Sequence, residues 1–408
     1  MKTRFAEFLL LLIGIISLLG QWQRLSTPLG KVSGHEILLT VLVLFTLFFR
    51  ANQMAKILQN KWIFLFIGWL SWIAVGTTFQ GYWQENNVLW IVGFSYLARL
   101  ILYFGSALVL SVWYFDSPNI RQYLPKIILI WLIVHLLLGL IQYLLFPDTR
   151  WLYYLGWDDH LNRAMGSLLD PGFFGLLMCI GSILAFDRYL EHSSQKRKHW
   201  YSLIFAGFIL GVALSFSRAS YLAYIVGFVI FALLRRQRSI LLAIPLLILT
   251  LVLIPKDGGG EGQKILRQNS IEARVEVTQI HAQNFQGIDW LIGKGWYYEG
   301  ALQVHRQALG ENREITLSSH ARAVDNSFLH VLFSTGVPGF IWFGILLIVV
   351  MWKIRYHAIG LSVLVAILTH SLFSTALFYS WIWLVGIALF VPLFICKQPS
   401  SNNKKDES

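Results

Sequence analysis

The chain is built almost entirely of apolar runs that approach the ~20 residues a helix needs to cross a bilayer. Only one long polar interval, Pro255 to Asn326, breaks the series. A soluble globule cannot be made this way. Hydrophobic residues make up 56% and charged residues 13%, against about 25% charged in ordinary soluble domains. The expected fold class is an all-α integral membrane protein with about twelve transmembrane helices and one long loop containing short helices. Residues 1–254 would carry helices one to nine, 255–326 the loop, 327–396 helices ten to twelve, and 397–408 a polar tail.

Orientation follows from Lys and Arg in the short connections, because cytoplasmic loops retain positive charge. One side holds nineteen of them, among them Arg50, Lys56, Lys196, Arg197, Lys198, Arg235 and Arg236, and the other holds five. Those five are Arg24, Lys31, Arg150, Arg163 and Arg218. Both termini are thus expected in the cytoplasm, with the long loop on the opposite face. The same distribution accounts for the net charge of +12. No basic patch is interleaved with aromatics on a soluble module, so nucleic acid is not an expected partner.

The first apolar run lacks a small-residue cleavage site and reads as a retained span. Cys179 and Cys396 fall at different depths, with no Cys or His at metal-ligand spacing, and read as small buried hydrophobes. There is no fixed-period repeat, phosphate-binding glycine loop or zinc motif.

Attention therefore passes to charges that topology leaves unexplained. Arg99 lies about eleven residues into the fourth span, near mid-bilayer. A charge there costs about 2.5–3.5 kcal/mol, so it needs a water-filled cavity or an anionic partner. The connection from Phe146 to Gly166 carries Trp151, Tyr153, Tyr154 and Trp157, which suit either an interfacial belt or stacking on sugars, together with His160 and Arg163. Ser217-Arg218 joins the seventh and eighth spans with almost no loop, placing a guanidinium at the membrane surface. Within the polar interval Asn269 and Glu272 mark a helix start, with Arg274 at the edge of its apolar face. His305 and His320 are further candidate bases, and Asp325-Asn326 stands before the tenth span, where either residue would cap the helix. Gly336-Val-Pro-Gly339 predicts a kink.

In order, Asn162-Arg163-x-x-Gly166, Asp170-Pro171, Ser217-Arg218, Ser270-x-x-x-Arg274, Gly293-x-Gly295 and Asp325-Asn326 followed by Gly336-x-x-Gly339 resemble the bacterial O-antigen polymerase and ligase superfamily. The likeness covers residues 160 to 345 and the layout of many spans around one large periplasmic loop. It implies a glycosyltransferase of the inner membrane that needs no metal or cofactor and uses an undecaprenyl-diphosphate-linked glycan. Membrane lipid and a chain-length regulator are the other partners it implies. Arg218 and Arg274 match the arginines thought to hold the lipid diphosphate. In the ligase branch a His stands where this chain has Asp325, so the likeness leans towards the polymerase branch.

On this reading Arg218, Arg274 and Asp325 are the catalytic residues, and Arg163, Arg99, Asn326, His320 and Arg322 bind substrate. A sugar leaving as a diphosphate is already activated, so cations for the departing charge and a base for the attacking hydroxyl suffice. A ligase, or a multi-span transporter or flippase, are the competing readings. A transporter would show two related halves, which this chain lacks.

Overall fold

The structure, a computed structural model, describes residues 2–27, 30–83, 87–155, 157–158, 160–254, 268–298, 300 and 324–395. Before the polar interval run α1 (Lys2–Ser17), α2 (Gly34–Leu58), α3 (Lys61–Trp83), α4 (Asn87–Asp116), α5 (Pro118–Leu145), α6 (Pro171–Glu191), α7 (Gln195–Leu214), α8 (Arg218–Arg235) and α9 (Ala243–Leu253). Within the interval lie α10 (Gln268–Gln283) and α11 (Asp289–Ile292). After it come α12 (Ser327–Ile354), α13 (Ala358–Ser371) and α14 (Ser380–Ile395).

Among the described residues seven helices, α2 to α6, α8 and α12, are long and apolar enough to cross a membrane. Arg238–Leu253, Ala358–Ser371 and Ser380–Val391 are apolar but shorter. α7 has the length, with 20 residues, but opens on Lys196-Arg197-Lys198. The exterior is apolar as a lipid-facing surface must be, with Phe48 81% and Leu144 74% exposed. This is a helical membrane protein.

One departure from an all-helical chain is small. An antiparallel hairpin, β1 (Arg24–Thr27) with β2 (Gly30–Ser33), joins α1 to α2, with Arg24 opposite Ser33. It was invisible in the sequence because four-residue strands have no room for a hydrophobic period.

Local chemistry fixes where the helices begin. Ser117 accepts from the amide of Ile120 ahead of Pro118. Asp170 accepts from the amides of Gly172 (2.7 Å) and Phe173 (3.0 Å) ahead of Pro171. Both are N-caps followed by a proline that needs no donor. That cap sets the start of α6 at Pro171, the preceding residues forming a short 3-10 turn at Gly166–Leu168.

α6 is the innermost helix, buried at every residue from Phe174 to Ile183, Cys179 among them. It packs closely on α7 and α8, while α8 lies along α13. A second cluster gathers α1, α2 and α4, and a third joins α3 and α4 to α12 through Trp69, Trp296 and Phe343. Cys396 lies outside the described residues.

The predicted kink in α12 is present. Gly336 leaves helical geometry at φ 70°, ψ −179°. Its neighbours' carbonyls find indoles instead: Trp72 donates to Thr335 O (2.9 Å) and Trp69 to Gly339 O (3.1 Å). Gly293, also at positive φ, lies against the same kink, and a side chain at either glycine would overlap backbone of the other segment, with a methyl on Gly336 only 2.6 Å from Leu291 O. The Gly-Lys-Gly turn and the Gly-x-x-Gly segment are thus two halves of one contact, sealed by Lys294 N donating to Phe333 O (2.8 Å). It returns the polar interval to the membrane domain.

Candidate active site

Four helix ends meet at one face: the starts of α6, α8 and α12 and the end of α13. The α7–α8 connection is a serine turn. Phe216 adopts a left-handed φ of 47°, Ser215 Oγ accepts from Ser217 N, and Ser217 caps α8 by accepting from Ser220 N at 3.3 Å. Ser220 Oγ donates to Gly172 O (3.0 Å), locking the turn to the first residues of α6. Arg218 is the first residue after that cap, so its guanidinium stands at the rim of the face.

Arg163 stands behind this turn, 8% exposed. Its Nε donates to Ser215 O (3.0 Å) and its Nη2 to Phe216 O (3.3 Å), while Nη1 lies 3.5 Å from His160 Nδ1. It braces the backbone that carries Arg218, and its charge reaches Asp170. Burial holds the Asp170 carboxyl above its ordinary range, against the amides and Arg163, which pull it down.

Arg274, on α10, does not pair with the nearby Glu272 or Glu276. Its Nε meets Asp325 Oδ2 at 3.1 Å, across fifty-one residues of chain. The pair is half in water, at 45% and 51% side-chain exposure. Arg274 also stands close enough for its charge to act on Arg218. The result is two cations and one carboxylate at the mouth of the helix junction.

Asn326, not Asp325, caps α12. Its Oδ1 accepts from Phe328 N (2.9 Å) and Leu329 N (3.1 Å), and its Nδ2 donates to Leu372 O (2.9 Å). The division of labour between neighbours leaves the Asp325 carboxylate directed to Arg274.

Arg99 lies elsewhere. Its Nε meets Glu36 Oε1 at 2.7 Å and its Nη2 donates to the Lys31 carbonyl, level with the first turn of α2. A count of about eleven residues into the span gives mid-bilayer depth only if α4 begins at the membrane edge. At 30 residues α4 is ~45 Å long, well beyond the ~30 Å of a hydrocarbon core. The expected anionic partner is Glu36.

His305, His320 and Arg322 lie outside the described residues. One residue of the junction was passed over: His370, at the end of α13, is 1% exposed, with Nδ1 2.8 Å from Ser374 Oγ and within the field of Arg274. A side chain on Gly172 would reach its ring. The only hint in the sequence is a histidine closing an apolar run just before Ser371 and Ser374.

Two arginines and a carboxylate gathered at one face of a helical membrane protein suit the binding of an anionic group there. Residues 203–344, from α7 into α12, match the family model described as O-antigen ligase. That match, over about a third of the chain, supports a likeness to the O-antigen polymerase and ligase superfamily and a role in the assembly of surface glycans. Arg218, Arg274, Asp325 and Asn326 all fall inside the matched segment, whereas Arg99 and Arg163 precede it. No curated protein matches the chain.

Proposed function

We propose that the protein polymerises undecaprenyl-diphosphate-linked repeat units into O-antigen or a related surface polysaccharide. The reaction would run on the periplasmic face of the inner membrane, with about twelve spans and both termini inside. The observation that carries this reading is the Arg274–Asp325 ion pair beside Arg218.

An ion pair exposed to this degree is worth about 0–1 kcal/mol, so exchanging partners costs little. A diphosphate arriving between Arg218 and Arg274 offers each guanidinium a bidentate, charge-assisted contact. Arg274 then turns from the carboxylate to the phosphate, and Asp325 is released as a base.

The acceptor hydroxyl attacks the anomeric carbon, Asp325 takes its proton, and the bond from that carbon to the diphosphate oxygen breaks. Two electrons leave with the diphosphate, where Arg218 and Arg274 meet the new charge. Substrate arrival and base activation are thereby coupled. Arg163 holds the serine turn in place, and the chemistry draws on side chains alone.

The family description favours a second reading, transfer of finished glycan to another acceptor such as lipid A-core. The same residues would serve it. A glycan profile separates the two: in a deletion strain, a polymerase leaves single repeat units on the surface lipid or carrier, while a ligase leaves long chains on undecaprenyl diphosphate. Complementation with Arg218→Ala, Arg274→Ala or Asp325→Asn should copy the deletion with normal membrane levels. Wild-type glycan from both arginine variants sinks the clamp.

A further inference from the structure

A second cationic pocket lies on the far side of the α6 start from Arg218. The β1–β2 hairpin, the connection before α6, α4 and the α13–α14 connection enclose about 300 Å³. That is the lower end of the range for ligand sites, about 300–1,000 Å³, and admits one sugar ring rather than a long glycan.

Its cations are not paired within the pocket. Arg99 is neutralised by Glu36, but among the described residues no carboxylate lies within ion-pair distance of Arg24 or Lys31. Asp158 and Asp170 share the pocket wall, yet Asp170 is turned to the amides that open α6. Both cations instead lie over one indole, Lys31 Nζ 5.0 Å and the Arg24 guanidinium 5.9 Å from the Trp157 ring. Burial and the repulsion of Arg24 lower the pKa of the Lys31 ammonium. Two like charges held together at a partly enclosed site cost free energy that an anion between them would relieve.

The walls are aromatic. Tyr96 and Tyr297 stack on each other at 3.5 Å, and Phe173 stacks on Tyr379 at 3.7 Å, so ring faces and edges line the space around the cations. Cations for an acidic group and flat apolar surfaces for C–H faces are what an acidic sugar requires.

We propose that the Arg24–Lys31–Trp157 pocket is a subsite for a sugar residue carrying a carboxylate or phosphate, set beside the transfer site. It rests on the surface-glycan reading of the arginine site. Phe173 and Asp170 line it, and a side chain on Gly172, just before Phe173, would meet Ser217 and His370 of the junction. One turn of α6 therefore separates the two sites. An acidic residue bound there fixes the register in which its glycan presents a hydroxyl to the junction, and a neutral glycan gains no such hold.

The full chain in lipid nanodiscs would be titrated by calorimetry with methyl glucuronide, glucose 6-phosphate, methyl glucoside and inorganic pyrophosphate. The acidic sugars should bind at least tenfold more tightly than the neutral one. Arg24→Gln and Lys31→Gln should each weaken acidic-sugar binding at least tenfold while eluting as monodisperse protein, and Arg24→Lys should restore part of it. Equal binding of acidic and neutral sugars, or acidic binding untouched by both glutamine variants, overturns the subsite. Pyrophosphate binding that depends on Arg24 and Lys31, without sugar binding, would assign the pocket to a lipid headgroup and also overturn it.

Arg218→Ala separates the two hypotheses. It should abolish pyrophosphate binding and leave the acidic sugars in place. Persistent pyrophosphate binding in that variant defeats the diphosphate clamp alone.

Discussion

Two arginine–carboxylate pairs stand on this protein and answer opposite needs. Glu36 is 6% exposed at its side chain and saturated: Oε2 accepts from Ser33 N, and Oε1 from Tyr103 Oη, Arg99 and Ser380 Oγ. Asp325 meets Arg274 in the open, at 51% exposure. A buried, fully hydrogen-bonded pair cannot let go of either partner without stranding a charge, whereas an exposed pair can. The first locks α2, α4 and the hairpin together. The second is free to trade.

The comparison predicts a graded series. Glu36→Ala leaves Arg99 without its counter-ion and should cost about 3–5 kcal/mol, read as a large fall in thermal-shift midpoint and in monodisperse yield; an unchanged midpoint would make the two pairs equivalent. Arg274→Ala should reduce polymer at least ~100-fold, about 2.7 kcal/mol in barrier, while changing stability by less than about 1 kcal/mol. Loss of protein in step with polymer would collapse the distinction. Asp325→Asn should lower transfer on the order of 100-fold, the low end of what a lost general base costs, at normal protein level. Asn326→Ala sharpens the contrast between neighbours, costing about 1 kcal/mol of stability through the lost cap and lowering polymer only as far as protein falls on a blot.

The helical membrane class, the kink at Gly336 and the polar interval were legible because each depends on local composition or on one residue's backbone freedom. The partners of the arginines were not. Arg163 finds the carbonyls of Ser215 and Phe216 some fifty residues away, in a turn where Phe216 is left-handed. Arg99 finds Glu36 because two helices cross, and no spacing in the chain encodes a crossing. Asp325 and Asn326 were equally good caps by residue type, and the fold chose between them by supplying Leu372 O for the amide of Asn326 and Arg274 for the carboxylate. The hairpin and His370 were missed for the same reason, being defined by what packs beside them.

The brace made by Arg163 has an electrical consequence. α7 ends at Leu214, and a helix terminus of that polarity carries about half a negative charge on its last carbonyls. The α6 and α8 termini beside it carry about half a positive charge each. Arg163 covers the carbonyl end, so the backbone dipoles no longer cancel at this corner and its potential is set by amides. An anion approaching Arg218 thus meets a positive floor as well as positive side chains, and Arg163→Met should weaken pyrophosphate binding from a distance, through the field rather than through any contact.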